Sequence, residues 1–262
     1  MGMLYLVSIG LHDERDLSLR AVDACKMCNT IYAEFYTTKL KTDADRLTKL
    51  LGKHVTELSR QDLEELSGRI LREAVKSNVA ILVGGDALCA TTHISLVMEA
   101  KRMGVTVRII HGSSVFSAIG ETGLQPYKFG KAITLAYGDE GYVPLSFYDA
   151  IMQNKKRGLH TLLLLDIQKE QGRYMTVTEA IDLLDGAEKA KRGKLVTPST
   201  KLVAAADLGG DSIIRYAIMD ELKKSDVANM TPAVLIIPGD LHFMEQEYLE
   251  FISKPPTVNR RI

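Results

Sequence analysis

The carboxyl group of Asp86 occupies a position in the sequence that suggests chemistry. It stands in the segment "GGDALCATTH", directly after two glycines and the apolar run "NVAILV". Gly84 and Gly85 permit backbone conformations and close approaches that a Cβ would block. The Asp86 carboxylate could therefore contact a ligand that carries hydroxyl groups or a positive charge. It could equally cap a helix that starts between Ala87 and Ala90, so both interpretations remain open.

A second segment with polar side chains, "HGSSVFSAIGETG", permits a similar double interpretation. Ser113 and Ser114 either cap the helix that follows or line the same site as Asp86. The six histidines of the chain have no metal-ligand spacing. Motifs for dinucleotide binding (GxGxxG), nucleotide phosphates (Walker loop), zinc proteases (HExxH), serine hydrolases (GxSxG) and kinases are absent from the sequence. We therefore expect neither a metal site nor one of these common phosphate cradles.

The segment "CKMC" gives Cys25 and Cys28 the spacing of redox or zinc sites. However, both fall in "DLSLRAVDACKMCN", where apolar residues repeat at helical spacing, and no second cysteine pair completes a site. We predict that both thiols pack in a core. Three cysteines are too few for a disulfide framework, and an odd number leaves one without a partner. This composition favours a reducing, cytoplasmic location.

Charge and hydropathy exclude two further classes of protein. The chain has 33 basic and 33 acidic residues and no long block of one sign, so a broad nucleic-acid surface is not expected. No run of eighteen apolar residues occurs, and the apolar start "MLYLVSIGL" is too short to span a bilayer. We expect a protein that binds neither nucleic acid nor membrane.

Five β-rich runs alternate with amphipathic segments in the first part of the chain: "LYLVSIG", "TIYAEF", "KHVTEL", "VAILVGG" and "VTVRII". Ser18, Thr42 and Ser59 are the predicted caps of the first three helices, and the apolar residues from Leu63 to Val75 predict one continuous third helix. This alternation predicts a parallel sheet covered on both faces.

Ligands of such sheets bind beyond the carboxyl ends of the strands. The predicted sheet therefore brings four segments together at one edge: Gly10 with Leu11, Glu34, Gly85 with Asp86, and His111 to Ser114. From Ser113 onwards, further strand-like and helical runs predict a second α/β domain with a mixed sheet. We place the two domains at residues 1–112 and 113–262.

Six segments in order, "IGLHDERD", "AEFYTT", "GGDALCATTH", "HGSSVFSAIGETGLQPYKFG", "HTLLLLDI" and "IIPGDLHFMEQEYL", resemble the diphthine synthase family of the tetrapyrrole methylase superfamily. The resemblance covers nearly the whole chain. It implies a homodimer of two-domain α/β subunits with S-adenosylmethionine (SAM) in the cleft between domains. It also implies N-methylation of the amino group of an aminocarboxypropyl-histidine on translation elongation factor 2, in diphthamide biosynthesis.

The resemblance also assigns predicted cofactor contacts, many of them through backbone groups. These are Leu11, Asp86, Cys89, Ser114, Val115 and Leu165, with Leu208 and Ala233 in segments that align less closely. For Leu165 and Val115, plain core packing is the competing interpretation. The residues identify no proton acceptor for the amine.

The sequence departs from the family pattern at two places. Gly85 and Ala87 flank Asp86 where the family usually has prolines, which predicts a more flexible loop. Asp207 stands in "AADLGGD" where an arginine is expected. Two alternative functions stay open: a precorrin-type tetrapyrrole C-methyltransferase, which shares the implied fold and cofactor, and a non-catalytic SAM-binding protein, which these departures make conceivable.

Overall fold

The structure, a computed structural model, describes residues 2–138 and 145–253. The chain divides into two compact units, Met1–Ala118 and Ile119–Ile262. The domain boundary expected between residues 112 and 113 stays a prediction. Within the described ranges, no helix combines the length and the apolar character needed to cross a membrane.

The first unit is built on one five-stranded parallel sheet. Its strands are β1 (Met3–Ser8), β2 (Thr30–Glu34), β3 (Val55–Leu58), β4 (Val79–Val83) and β5 (Thr106–Ile110). Its helices are α1 (Leu19–Met27), α2 (Ala44–Leu51), α3 (Arg60–Glu64), α4 (Gly68–Lys76), α5 (Ile94–Arg102) and α6 (Val115–Ala118). The strand order is β3-β2-β4-β1-β5, and all neighbouring strands run parallel. All five predicted strands are confirmed.

Apolar clusters cover both faces of this sheet. Leu4 and Leu6 of β1 belong to one buried cluster, whereas Tyr5 and Val7 belong to another. Successive side chains of a strand point to opposite faces, so this alternation places one cluster on each side. All of β4, the central strand, is buried. The sheet is therefore doubly covered, as the sequence predicts.

Two local predictions in this unit are wrong. The side chain that caps α2 is that of Asp43, which accepts a hydrogen bond from the Arg46 N–H, and not that of Thr42. The predicted third helix is broken into α3 and α4, and Leu66 between them is 56% exposed. Periodicity alone could not detect this break, because the apolar spacing continues across it. The predicted caps Ser18 and Ser59 are confirmed.

The thiols of Cys25 and Cys28 lie in one of the two clusters of the first unit, and both side chains are completely buried. Burial raises the pKa of Cys25 to about 12 and that of Cys28 to about 11. The predicted core packing is confirmed. Both thiols stay protonated, and so are poor nucleophiles, at neutral pH.

The second unit contains a mixed sheet. Its strands are β6 (Ile133–Leu135), β7 (Thr161–Leu165), β8 (Ile167–Gln168), β9 (Arg173–Tyr174), β10 (Lys201–Ala206), β11 (Ile213–Ile218) and β12 (Ala233–Ile237). Its helices are α7 (Ser146–Lys156), α8 (Val177–Lys191), α9 (Met219–Leu222) and α10 (Phe243–Ser253). The main sheet has the order β11-β10-β12-β7-β6. Among the described residues of this sheet, β6 and β7 pair in parallel and the other neighbouring strands run antiparallel, so the predicted mixed sheet is confirmed.

A buried ionic cluster attaches α10 to the rest of the second unit. The Glu245 carboxylate of α10 accepts hydrogen bonds from the Lys128 ammonium, the His160 Nε2 and the backbone N–H groups of Gln125 and His242. His160 precedes β7, and its Nδ1 accepts from the Gly239 N–H at 2.8 Å. The ring of His160 is therefore neutral and donates through Nε2. The cluster joins the residues before β7 and after β12 to the start of α10.

Candidate functional site

Two glycines bring the ends of β1 and β4 together in the first unit. The Gly85 N–H donates to the Gly10 carbonyl at 2.7 Å, and the Gly10 N–H donates to the Gly85 carbonyl at 3.2 Å. Gly10 and Gly85 have φ values of +109° and +67°, which L residues with side chains rarely adopt. This pair fixes the direction in which the chain leaves β4 and so places Asp86 at the sheet edge.

The Asp86 carboxylate is buried, and both of its oxygens accept hydrogen bonds. Oδ1 accepts from the Leu88 N–H at 3.0 Å. Oδ2 accepts from the Gly112 N–H at 3.2 Å and lies 2.9 Å from the Nδ1 of His111. The carboxylate thus joins the loop after β4 to the residues that follow β5. The predicted helix start between Ala87 and Ala90 is wrong, because Asp86 closes a turn and α5 begins only at Ile94.

Asp86 is ionised at neutral pH. Burial by itself would raise the pKa of this carboxyl group, but the hydrogen bonds from Leu88, His111 and Gly112 outweigh burial and lower the pKa below its ordinary value. An anion is therefore held at the carboxyl edge of the parallel sheet. Such an anion complements a ligand that carries a positive charge or hydroxyl groups.

Three more of the predicted contacts lie near Asp86. The thiol of Cys89 is exposed, and it hydrogen-bonds with the side chains of Ser114 and Asp86. The Ser114 hydroxyl also accepts from the Phe116 N–H at 3.0 Å, next to Val115, the first residue of α6. The structure therefore brings Asp86, Cys89, Ser114 and Val115 into one group of loops.

Leu11 lies on the loop after β1, at the same sheet edge. Its N–H donates to Oδ2 of Asp16 at 3.0 Å, and the His12 N–H donates to the same oxygen at 2.7 Å. Asp16 therefore holds this loop in place. A Cβ at Gly10 would lie 2.4 Å from the Cβ of Asp16, so the close approach requires glycine there.

The two departures from the family prolines have a structural consequence. Gly85 has a positive φ that proline cannot adopt. The Ala87 N–H donates to the Ser8 hydroxyl at 2.9 Å, and proline has no N–H to make this bond. The loop of this chain thus uses backbone features that the prolines would remove. Its greater flexibility stays a prediction.

Glu34 also lies at this edge, as predicted, but its carboxyl group serves its own loop. It is fully buried, and Oε2 accepts from the N–H groups of Tyr36 at 2.9 Å and Thr37 at 3.1 Å. Burial raises the pKa of Glu34, and the hydrogen bonds only partly oppose this effect. Glu34 shapes the turn after β2.

Leu165, Leu208 and Ala233 lie at one edge of the sheet in the second unit. Leu165 ends β7, Leu208 follows β10, and Ala233 begins β12, which runs antiparallel to both strands. Leu165 and Leu208 are buried and Ala233 is half-buried. Asp207 lies at the same edge with φ +53°, and its N–H donates to the Pro232 carbonyl at 3.0 Å. The structure therefore groups these three residues with each other.

The sequence did not single out His111 as a functional residue. The rule that ligands bind beyond the ends of parallel strands already placed His111 and Asp86 at one edge, and this was the available signal. What the sequence could not provide is the direction of the ring. Within the part of the chain that the structure describes, no three His, Cys, Asp or Glu side chains cluster as metal ligands would.

Comparisons with known proteins show the family of this chain. Residues 3–211 match the family model of tetrapyrrole (corrin/porphyrin) methylases. A diphthine synthase of Methanocaldococcus jannaschii is 39% identical, over 96% of this chain and 99% of its own. A diphthine methyl ester synthase of Schizosaccharomyces pombe is 38% identical, over 94% of this chain and 93% of its own.

Solved structures share the fold. A crystal structure from Entamoeba histolytica has a TM-score of 0.89 and 33% identity, and covers 98% of this chain and 100% of its own. A crystal structure of a diphthine synthase has a TM-score of 0.86 and 33% identity, with 96% of each chain covered.

A doubly covered parallel sheet followed by a mixed sheet, together with the family match over residues 3–211, defines a methyltransferase of the tetrapyrrole methylase class. The nearly full-length similarity narrows this class further. The chain belongs to the diphthine synthase family.

Proposed function

We propose that this protein transfers methyl groups from SAM to the amino group of an aminocarboxypropyl-histidine on translation elongation factor 2. The observation that carries the proposal is the similarity to diphthine synthases along nearly the entire length of both chains. Precorrin-type C-methylation has no comparable support, because the named relatives that match end to end are enzymes of diphthine chemistry.

The residues at the edge of the first sheet fit SAM. The cofactor carries a sulfonium, an ammonium group and two ribose hydroxyls, and the ionised Asp86 carboxylate complements any of these groups. A Cβ added at Gly85 would meet no atom within 4 Å, so there is open space beside the loop. We keep all eight predicted contacts: Leu11, Asp86, Cys89, Ser114, Val115, Leu165, Leu208 and Ala233.

The bound cofactor supplies an activated methyl group, so the protein needs neither a metal nor a covalent nucleophile for this chemistry. The protein must hold the acceptor nitrogen in line with the bond that breaks and keep competing water out. It must also remove a proton from the acceptor, because an ammonium has no lone pair to form the new bond.

The decisive experiment is a transfer assay with methyl-labelled SAM. Elongation factor 2 that carries the aminocarboxypropyl-histidine should become labelled, and factor with unmodified histidine is the control. Tight binding of the cofactor without any label on the factor would favour a non-catalytic SAM-binding protein. Label on a precorrin but not on the factor would favour the tetrapyrrole methylase alternative.

The name of the Schizosaccharomyces pombe relative, a methyl ester synthase, supports a second candidate product. A methyl ester forms when a carboxylate oxygen of the modified histidine accepts a methyl group. An enzyme that forms no ester transfers labelled methyl groups only to the amino nitrogen. Mild alkali hydrolyses a methyl ester and leaves N-methyl groups intact. If all of the label is stable to alkali, the protein methylates only nitrogen. If part of the label is released as methanol, the protein also forms the ester.

We also propose that the protein is a cytoplasmic homodimer. Met244, Tyr248 and Phe251 of α10 are exposed although they are large and apolar, which supports a surface that a second copy covers. Analytical ultracentrifugation should give twice the mass of the chain. A monomer at all accessible concentrations would contradict the homodimer and leave the transferase proposal intact.

A further inference from the structure

The imidazole of His111 is paired with a buried anion at one nitrogen and faces outwards. Its Nδ1 lies 2.9 Å from Oδ2 of Asp86. The His111 side chain is 69% exposed, whereas that of Asp86 is 6% exposed. Asp86 is itself held by the N–H groups of Leu88 and Gly112, so the ring is attached to a fixed acceptor. An exposed imidazole oriented by a fixed carboxylate is a common arrangement for proton transfer.

The proton on this ring can be assigned from the partner. Asp86 is ionised at neutral pH and has no proton to give, so Nδ1 of His111 must be the donor in the contact. In the neutral ring, the lone pair is then on Nε2. The buried carboxylate thus fixes the tautomer in which the outer nitrogen accepts a proton.

Other titratable groups at this sheet edge are less suited to the task. The Asp16 carboxylate accepts hydrogen bonds from the N–H groups of Leu11 and His12. The Glu34 carboxyl group accepts hydrogen bonds within the turn after β2. Burial raises the pKa of the Cys89 thiol, so it stays protonated near neutral pH. Two other imidazoles lie at this edge. His12, on the loop after β1, is half-buried, and His93, before α5, is buried against the Tyr36 hydroxyl, and burial lowers its pKa.

We propose that His111 is the catalytic proton acceptor of the methyl transfer, with Asp86 as its positioning residue. This inference rests on the proposed function. Nε2 of His111 takes one proton from the ammonium of the acceptor, which frees the nitrogen lone pair. That lone pair forms the new N–C bond while the S–C bond breaks, and the electrons of the broken bond stay on sulfur.

The steps balance in atoms and charge. Each transfer releases one proton, first to Nε2 of His111 and then to water, and no oxidant or reductant is needed. The nitrogen carries a positive charge again after the transfer, so a second methyl group requires the same deprotonation. Asp86 stabilises the imidazolium that forms in each cycle, because its negative charge lies directly at Nδ1.

Two substitutions separate proton transfer from a purely structural role. His111→Asn keeps an N–H donor near the position of Nδ1 and removes the acceptor at Nε2. His111→Ala removes the whole ring and leaves an exposed space. In the labelled-factor assay we expect both variants to lose about 10²-fold or more in kcat, with cofactor affinity by calorimetry unchanged within about twofold. Added imidazole should partly restore His111→Ala.

His54 provides a matched control. It is an exposed histidine directly before β3, at the opposite edge of the same sheet. His54→Asn should transfer methyl groups like the unchanged protein. A nitrogen-15 NMR spectrum of the histidine rings reports which ring nitrogen carries the proton, and it needs no turnover. The signals of His111 are identified because they disappear in His111→Asn. We expect the His111 proton on Nδ1 and none on Nε2 in the neutral ring.

The outcomes distinguish this inference from the proposed function. If the unchanged protein labels the factor and His111→Asn labels it equally well, His111 is not the acceptor, and the proposed function stands. A neutral ring that carries its proton on Nε2 also overturns the inference. If the unchanged protein labels no factor, the proposed function fails, and the role of His111 towards that acceptor fails with it.

Discussion

Asp86 combines structural contacts with the chemistry expected of a binding residue. Its carboxylate accepts from Leu88, Gly112 and His111, so a change at this position alters the loop as well as the site. Removing this acceptor costs about 1–3 kcal/mol for a donor that water cannot then reach, and less for an exposed donor such as His111. A test of cofactor binding therefore needs a substitution that removes the charge but keeps the shape of the side chain and one of its two acceptor atoms.

Asp86→Asn is that substitution. We expect affinity for SAM, measured by calorimetry, to fall severalfold or more, and the melting temperature to fall less than in Asp86→Ala because the amide keeps one acceptor oxygen. Asp86→Ala should weaken binding too and should also lower the melting temperature, because all donors to the carboxylate lose their acceptor. Asp23→Asn, at an exposed position of α1, is the control. Unchanged affinity in Asp86→Asn would mean that the charge serves the fold alone.

The sequence predicts the neighbours of Asp86 better than their contacts. Parallel strands end at one edge, so Gly10, Asp86 and His111 had to lie near one another. The hydrogen bond between His111 and Asp86 depends on a ring orientation, and the bond from Ala87 to Ser8 depends on a turn that has no sequence signature. Packing selects both, and a pattern of residue types does not contain that information.

The start of α2 shows a similar limit at the scale of one element. Thr42 and Asp43 are adjacent, and both types are good caps, so the sequence alone does not decide between them. In the structure, Asp43 has extended dihedral angles and bonds the Arg46 N–H at 2.8 Å. The Thr42 hydroxyl oxygen is buried without a hydrogen-bond partner among the described residues.

The two residues should therefore respond differently to substitution. We expect Asp43→Ala to lower the free energy of unfolding by about 1 kcal/mol, the usual value of a helix cap. Thr42→Val should be neutral within about 0.5 kcal/mol, since it removes a hydroxyl that has no partner. Urea unfolding followed by circular dichroism compares them. Equal losses would show that Thr42 shares the capping.

Helix α10 should give the second unit a marked sensitivity to acid. Burial by itself would raise the pKa of Glu245, but the hydrogen bonds from Lys128, Gln125, His242 and His160 lower it from 4.5 to about 2. A carboxyl group with a lowered pKa stabilises the fold above its unfolded pKa and loses that stabilisation as the pH falls. Burial also lowers the pKa of His160, so protonation of this histidine in the unfolded chain favours unfolding below about pH 6.5.

We expect the free energy of unfolding to decrease below about pH 6.5 and to lose roughly a further 3 kcal/mol between pH 4.5 and 2. Glu245→Gln should be less stable at pH 7 and should have a shallower decrease in the acid range. Glu247→Gln, at an exposed position of the same helix, is the control. Parallel pH profiles for Glu245→Gln and the unchanged protein would contradict this assignment.

Over the whole molecule, the elements with clear periodicity or β-rich runs were predicted better than the connections between them. Strand β11 was not predicted, although "IIRYAI" is as long as β1 and β10; it follows a glycine-rich turn, and its pairing with β10 defines it. The order β3-β2-β4-β1-β5 also lies beyond the sequence, because alternation predicts parallel strands without fixing their order.

Binding of the cofactor product should raise the stability of the whole chain. A ligand present at 100 times its Kd adds about 2.7 kcal/mol to the folded state. S-Adenosylhomocysteine should therefore raise the melting temperature by several degrees, and the increase should be smaller in Asp86→Asn at the same concentration. Adenosine alone is the control for non-specific effects. An unchanged melting temperature at saturating ligand would contradict the assigned cofactor.

The different environments of the three cysteines also provide a practical probe. Cys25 and Cys28 are enclosed by the core, whereas the sulfur of Cys89 is accessible and lies next to Asp86 and Ser114. A maleimide dye at mildly alkaline pH should thus attach at a single position in the native protein. The rate of labelling would then report ligand occupancy, because bound cofactor would protect the thiol from the dye.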